Sequence, residues 1–459
     1  MPFCLKTYNA ALIIFICAGF TLPMQGQLSA GSIYSRIGLG MSDPGTNAAL
    51  SGGGRALTIG DPSFVNFYQP ASYAFLEQPT LQIDARAGQT TALTGSGEVK
   101  TQFGMVNEFA FAIKKFGKPW AAVVGIRPVS NIGYSFIEQK EVNDSLSATY
   151  RYEGSGGLSD ITLGFSRVFA IKGKREKADS TKRVVHQLSL GVNGDYLFGS
   201  VKRLSSVLFS NTEYLITSQD RRLFAQGFSG EAGALYRHNF RIRRDRDGML
   251  TSSMTLILGG TFSIPSSLLA EYNSLSTSIV YSTGLRDTTD QIEEMRGRLQ
   301  LPSRIGFGAA FRVFHTKAGS ITLGGDYQFG KWSTMRLQLP LDLNLDDNLL
   351  DATTLAAGID YKPNSDASDG LLNRMNYRLG YRHHNSYMEL SGQQISQQTL
   401  CAGLSAPLAR SASRFHISAE FTETAFNTTL IPEKTIRFLI GFSLSPSVFD
   451  RWFRQIKYD

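Results

Sequence analysis

Apolar and polar residues alternate with a period of two along most of the chain from Thr80 onwards. Near the C-terminus, for example, Phe438, Ile440, Phe442 and Leu444 share one face of an extended chain. Such alternation is typical of β-strands with one apolar face. It marks fourteen segments, with approximate bounds 80–88, 106–116, 119–130, 150–170, 184–199, 213–240, 250–265, 300–315, 320–330, 353–362, 373–384, 396–406, 413–423 and 434–445. The sequence therefore predicts an all-β fold.

The lengths of the strands and their connections favour a membrane barrel. A transmembrane β-strand needs about 9–11 residues to cross a bilayer at a tilt. Bacterial outer-membrane barrels have an even number of strands, short periplasmic turns and longer extracellular loops. The connections at 117–118, 315–319 and 407–412 are short, whereas those at 89–105, 266–299 and 331–352 are long. We therefore predict a transmembrane antiparallel β-barrel of about 14 strands over residues 80–445.

Residues 27–79 differ from the rest, because they are rich in Gly and Pro and lack sustained alternation. They also contain apolar side chains, including Phe64, Phe67 and Tyr73, which are costly to leave in water. Irregular backbone at membrane depth is tolerated where protein surrounds it. The segment is therefore expected to fold back into the barrel lumen as a hatch or plug.

The first 26 residues have the features of a secretory signal peptide. Lys6 precedes an apolar run from Ala10 to Phe20, and Pro23 and Gly26 follow. The run is shorter than the ~20 residues that an anchor helix needs, and Phe15-Ile16 before Cys17 argues against a lipoprotein. We expect export, cleavage near Gly26 and location in the cell outer membrane. The mature chain would keep only Cys401 and form no internal disulfide.

Composition narrows the class further. Charged residues are 18% of the chain, against about 25% in average soluble proteins, while aromatic residues are frequent. This argues against disorder. No run of eighteen apolar residues follows the N-terminus, which excludes a helical membrane protein.

No catalytic or metal-binding motif stands out. His-Glu-x-x-His, paired CxxC and phosphate-loop motifs are absent from the sequence. His383 and His384 are neighbours in a strand and should point to opposite faces, which disfavours a shared metal. The acidic run Asp342 to Asp347 lacks the Gly of a calcium loop. We predict no enzyme, no cofactor and no metal; an outer-membrane phospholipase is the enzyme alternative.

Two connections and the C-terminal tail offer possible partner surfaces. The connections 171–183 and 241–249 are rich in Lys and Arg, and are either solvated hairpin tips or a docking surface for a periplasmic protein. Residues 446–459 form an amphipathic periplasmic tail, which either packs on the barrel rim or contacts a partner. The compartment excludes nucleic acid.

The hatch segment resembles a known family. The stretch from Gly52 to Phe75, followed by Leu81-Gln-Ile-Asp-Ala-Arg86, is similar to the N-terminal hatch of the FadL/TodX (OMPP1) long-chain fatty-acid transport family. That hatch carries Asn-Pro-Ala before strand one, and Gln69-Pro70-Ala71 stands at the matching place. The segments 32–40 and 450–459 resemble the chain ends of a divergent branch of this family.

The resemblance implies a fourteen-stranded barrel in which apolar substrate binds between extracellular loops, passes the hatch and leaves sideways at a kinked third strand. The implied hatch residues are Phe64, Phe67, Tyr68, Pro70, Ala71 and Tyr73. The implied groove in the loop 266–299 contains Leu268, Leu269, Tyr272 and Leu275. The implied lateral opening lies at Gly125 and Pro128, where proline removes a ladder donor.

Two functions remain in view. The first is an outer-membrane channel for passive uptake of hydrophobic, long-chain fatty-acid-like molecules, which predicts an apolar lumen near the plug. The second is a non-transporting structural or secretion-associated barrel, which predicts a sealed lumen and protein partners. In both cases the barrel contacts outer-membrane lipid and lipopolysaccharide.

Overall fold

The computed structural model shows a closed antiparallel β-barrel of fourteen strands with an irregular N-terminal segment inside it. It describes residues 31–42, 47–94, 97–143, 146–172, 184–244, 250–340, 349–363, 370–408, 412–426 and 430–446. The predicted fold class is confirmed. The predicted signal peptide lies outside the described residues, as do nearly all of the C-terminal tail and most of the two basic connections.

The fourteen strands follow each other around the barrel in chain order. Some are interrupted and have two parts. They are β1 Thr80–Thr94, β2 Gly97–Ile113, β3 Trp120–Pro128 with Ser130–Asn143, β4 Leu146–Lys172, β5 Val184–Phe209, β6 Ile216–Arg244, β7 Leu250–Ser263 with Ser266–Ile279, β8 Arg286–Leu301 with Arg304–His315, β9 Gly319–Gly330 with Arg336–Gln338, β10 Ala352–Lys362, β11 Asn376–Leu390, β12 Gln393–Pro407, β13 Arg414–Thr424 and β14 Glu433–Leu444. β14 pairs with β1 from Leu444↔Leu81 to Glu433↔Ala92, which closes the barrel.

The alternation seen in the sequence separates the two faces of the wall. Large apolar side chains point outward and are exposed, among them Val106, Leu163, Phe228, Phe307 and Leu379. Polar side chains at the intervening positions are buried inside, among them Gln82, Asp84, Thr162, Asp326 and Glu420. An apolar outer band of this kind is what a bilayer requires.

Six neighbouring strands, β3 to β8, extend well beyond this band. β6 alone has 29 residues, far more than the ~10 needed to cross. The expectation of long loops at 89–105 and 266–299 was therefore wrong, since these residues are mostly strand. The sequence pattern did not show it because the extensions carry polar residues on their outer face, as in Asp287 to Glu294 of β8.

The described parts of the N-terminal segment, 31–42 and 47–79, lie in the lumen with little regular structure. It contains two 3₁₀ turns, Ile33–Arg36 and Pro70–Phe75, and one α-helical turn, Ala48–Ser51. The side chain of Asn47 caps that turn by accepting the N–H of Leu50. Outside the plug, Trp332–Thr334 forms a 3₁₀ turn and Leu371–Arg374 a helical turn. None of the described helices is long and apolar enough to span a bilayer.

Candidate functional site

The main chain of the plug is held by polar side chains of the barrel wall. The carboxylate of Asp326 (β9) accepts the N–H groups of Ala56 and Leu57 at 2.6 and 2.7 Å. Asp84 (β1) accepts the N–H of Ala48 at 2.8 Å. Bonds from backbone N–H to a carboxylate are charge-assisted and strong. They satisfy irregular backbone that has no sheet or helix partner of its own.

Further bonds fix the plug at other depths. Gln82 of β1 accepts the N–H of Val65 at 2.8 Å, and Glu433 of β14 accepts the N–H of Ile33 at 2.9 Å. Arg55 of the plug pairs with Asp360 of β10. The plug is therefore attached to the wall along its length rather than at one point.

The six predicted hatch residues lie in this plug but do not share one pocket. Phe67 and Tyr73 are fully buried in an apolar cluster with wall residues of β2 and β3. Phe64 packs in a separate cluster within the plug, and its ring meets that of His416 edge-on. Pro70 and Ala71 are buried in the second 3₁₀ turn. Tyr68 lines the central cavity. Their role in ligand binding stays a prediction.

The central cavity lies between the plug and the wall, has a volume of ≈110 Å³ and is lined by both charged and apolar side chains. Ligand pockets have about 300–1,000 Å³, so this space suits a few water molecules. Its lining includes the carboxylates of Asp160, Asp195 and Glu231 and the guanidinium groups of Arg127 and Arg304. The lining also includes apolar side chains such as Leu57, Leu197 and Ile305, but the charged groups among them make it different from the apolar lumen expected for a hydrophobic channel.

Arginines of the wall tie the plug aromatics to the lumen charges. Arg127 of β3 bonds Asp160 of β4 at 3.1 Å, and its guanidinium lies 5.4 Å from the ring centre of Phe67 and 5.2 Å from that of Tyr68. Cation–π contacts of this kind strengthen when desolvated. Sequence reasoning missed Arg127, although a charge at an inward position of an alternating strand was the available signal.

A second cluster of charged side chains surrounds the carboxylate of Asp61 in the plug. Burial alone raises the pKa of this carboxyl, but Arg378, Arg414 and a bond from Ser63 outweigh burial and lower the pKa to about 2. Asp61 is therefore ionised at neutral pH, and this part of the lumen is charged as well.

The wall is interrupted between β2 and β3. The two strands pair only from Phe109↔Ile126 to Ile113↔Ala122. Beyond Pro128 the second part of β3, Ser130–Asn143, pairs with β4 on one side. On its other side, within the described residues, it pairs only with Met41 and Ser42 of the plug. We call the gap between residues 97–108 of β2 and 132–143 of β3 the seam.

The two residues predicted for a lateral opening lie beside this seam. Pro128 ends the first part of β3. Gly125 faces the plug, where a Cβ atom would come within 2.4 Å of Cζ of Phe67. The predicted hatch and the predicted opening are therefore in direct contact, while an opening function remains a prediction.

The predicted groove residues occupy a strand rather than a loop. Leu268 and Tyr272 point inward and are buried, whereas Leu269 points outward and is 60% exposed. Leu275 is also exposed. Because strand neighbours alternate between faces, the four do not form one groove.

Leu268 instead belongs to an apolar cluster inside the barrel. We call it the upper cluster. Its buried members are Leu39, Leu158, Leu197, Ala225, Leu268, Ala270, Leu299 and Met335.

The histidines and acidic residues considered for metal binding do not assemble. His384 is buried and bonds Thr354 at 2.8 Å, while its neighbour His383 is partly exposed. The acidic run Asp342 to Asp347 lies outside the described residues. No group of three or more potential ligands occurs in the part of the chain that the structure describes.

Fold and site together define a plugged transmembrane β-barrel of the outer-membrane channel architecture. The chain belongs to the BamG family, whose model matches residues 9–459. The crystal structure of the Pseudomonas putida toluene transporter TodX is similar, with a TM-score of 0.51, 14% sequence identity and coverage of 87% of this chain and 98% of TodX. The CymD monoaromatic hydrocarbon channel reaches a TM-score of 0.44 at 13% identity, with coverage of 86% and 98%.

A search of curated proteins finds no match. The likeness to TodX confirms the expected resemblance to the FadL/TodX group at the level of the fold, and with it an outer-membrane type of barrel. At 14% sequence identity, the similarity to TodX does not identify a substrate for this protein.

Proposed function

We propose that this protein is a closed, non-conducting outer-membrane barrel that acts by binding other proteins. The observation that carries the proposal is the attachment of the plug to inward carboxylate and amide side chains around a small, charged cavity. An apolar molecule would have to displace these bonds and desolvate the charges.

The energetics support a closed state. A hydrogen bond to a charged group contributes about 1.5–3 kcal/mol, and unsatisfied buried partners cost about as much again. The four bonds from the N–H groups of Ile33, Ala48, Ala56 and Leu57 to carboxyl oxygens of the wall all have to break when the plug is released, which opposes opening.

The family's name gives independent support. The chain belongs to the BamG family, and that name points to a Bam-related protein partner. The basic connections 171–183 and 241–249 and the tail 446–459 remain candidate surfaces for a periplasmic partner.

The test is transport by proteoliposomes that contain the purified full-length protein. We expect wild type to pass neither ions nor a labelled fatty acid or toluene above the level of empty liposomes. Asp326→Ala, which removes one of several plug anchors, serves as a comparison variant with a loosened plug. Uptake of the apolar probes by wild type would contradict the proposal.

A second candidate is passive uptake of hydrophobic, long-chain fatty-acid-like molecules. The seam favours it, because the wall beside Gly125 and Pro128 is already interrupted, and the fold is shared with the toluene transporter TodX. It predicts an apolar molecule retained at the seam after gentle extraction from native membranes.

A further inference from the structure

We propose that a second cavity, at the periplasmic end of the lumen, binds a small oxyanion with two negative charges, of the phosphate class. The inference goes beyond the proposed function and does not depend on it. We call this space the periplasmic cavity. It has a volume of ≈440 Å³, which lies within the range of about 300–1,000 Å³ that is typical of ligand pockets.

The lining residues show where the periplasmic cavity lies. Phe314 and Ser320 flank the short turn between β8 and β9, and the short turns of such barrels face the periplasm. Lys362 and Glu77 line the cavity with exposed side chains. Residues 58–62 of the plug form its inner end. A solute of the periplasm can therefore reach the cavity without crossing the membrane.

Cationic side chains outnumber carboxylates in the lining. The carboxylate of Asp360 is already shared, since it pairs with Arg55 and, at 3.3 Å, with Arg378. The other carboxylates of the lining are those of Asp61 and Glu77. The cationic side chains of the lining are Arg55, Arg237, Arg312, Lys362 and Arg378. Five cations thus face three carboxylates, and two positive charges are left uncompensated.

Neutral groups hold two of these cations in place. Arg237 donates to the carbonyl oxygen of Gly60 at 2.5 Å, and its guanidinium lies 3.6 Å from the ring centre of Phe75. Nε of Arg312 donates to Oγ1 of Thr322 at 3.1 Å. Nε of Arg237 is buried and has no acceptor among the described residues. Both guanidinium groups are therefore positioned without an anionic partner.

The carboxylate of Asp61 does not remove the excess of positive charge. It interacts electrostatically with Arg237, Arg312 and Lys362, and also with Arg378 and Arg414. Within the described part of the chain, no ion pair is formed by Arg237, Arg312 or Lys362. Charges taken out of water are costly unless they are paired, so a bound anion would relieve this cost.

The chemistry of these groups selects the ligand. A guanidinium presents N–H donors in a fixed fork that matches the oxygens of phosphate, and the ammonium of Lys362 adds a point charge. Arg312 points into the lumen, because its neighbours Phe311 and Val313 are exposed on the outer face. The barrel wall therefore separates the cavity from bilayer headgroups. The ligand is a soluble anion, and the excess charge favours a dianion.

The test is calorimetric titration of the purified full-length protein in detergent with inorganic phosphate, at low salt and about pH 8, where phosphate carries two negative charges. We expect one saturable site per chain. Arg312→Gln and Lys362→Gln should each weaken binding about tenfold, the effect of one charged hydrogen bond.

Lys317→Gln is the matched control for the loss of one positive charge. Lys317 is exposed in the turn between β8 and β9 and does not line the cavity, so the affinity of this variant for phosphate should stay close to that of wild type. Absence of saturable binding to wild type, or equal weakening by all three variants, would overturn the proposal.

The charge and the source of the ligand are tested in the same preparation. Phosphate should raise the midpoint of thermal unfolding more than acetate at equal ionic strength, because a ligand that binds the folded state stabilises it and acetate brings one charge only. Equal effects of the two anions would contradict a dianion site. Anionic phospholipid added to the micelles should not displace phosphate. Displacement would place the site on the outer face of the wall and overturn its assignment to the lumen.

Discussion

At the scale of residues, a few inward side chains determine where the plug lies. Asp326 and Asp84 accept three backbone N–H groups of a segment that has almost no regular structure. Small residues on the wall let the plug approach closely, as at Gly191, where a Cβ atom would come within 2.4 Å of the carbonyl carbon of Pro70. Polar anchors and close approach together replace the packing of a conventional core.

Removal of one anchor should loosen the plug. Asp326→Ala leaves the N–H groups of Ala56 and Leu57 without their acceptor, at about 1–3 kcal/mol each. We expect faster limited proteolysis of the plug in detergent. Asp326→Asn retains one acceptor oxygen and should have a smaller effect. Equal cleavage rates in all three proteins would show that Asp326 is no anchor.

Close packing of the plug predicts opposite outcomes for two glycines of β5. Gly191→Ala forces a methyl group into the backbone of Pro70, and overpacking of this kind costs about 1–3 kcal/mol. Gly194→Ala meets no atom within 4 Å and should leave stability unchanged. Thermal unfolding of the two variants in detergent tests this prediction. An unchanged unfolding midpoint for Gly191→Ala would argue against the close packing of Pro70 on Gly191.

At the scale of elements, the extensions of β7 and β8 form a hairpin that packs into the barrel interior. Their register runs from Ser266↔Leu301 to Ile279↔Arg286, and their inward apolar residues enter the upper cluster. The hairpin therefore contributes a lid of packed side chains rather than a flexible loop.

Substitution of two adjacent leucines of this hairpin should have very different effects on the stability of the protein. Leu268→Ala removes a fully buried side chain and should cost about 2–5 kcal/mol. Leu269→Ala changes a side chain that is 60% exposed and should cost little. Thermal unfolding again measures both. A larger loss for Leu269→Ala would favour the predicted groove over the packed lid.

The sequence predicted well those strands that have one face towards lipid and the other towards the barrel lumen. The outer band is apolar and the lumen polar, so alternation marks the strands at lipid depth, as for Phe438 and Phe442 of β14. The extensions have polar residues on both sides and gave no such signal. The plug was expected from Gly, Pro and buried aromatics, but its anchors, such as Asp326, could not be paired with it, because nothing in the local sequence relates residues that are far apart in the chain.

At the scale of the whole molecule, an apolar exterior surrounds a polar, closed interior. Charges inside the lumen are paired, as in Arg382 and Arg437 with Glu420, and paired buried charges are costly to disrupt. The molecule thus has the fold of an outer-membrane channel with charged side chains lining the cavity beside its plug. Its wall is interrupted at the seam, where β2 and β3 pair only from Phe109↔Ile126 to Ile113↔Ala122.

The most direct test of this account is mass spectrometry of the protein extracted gently from native outer membranes, beside an unrelated barrel prepared in the same way. We predict a stoichiometric protein partner and no apolar small molecule enriched over the control. A specific fatty acid or hydrocarbon bound to the barrel, lost on deletion of 69–73, with no protein partner, would contradict the account and establish uptake as the function.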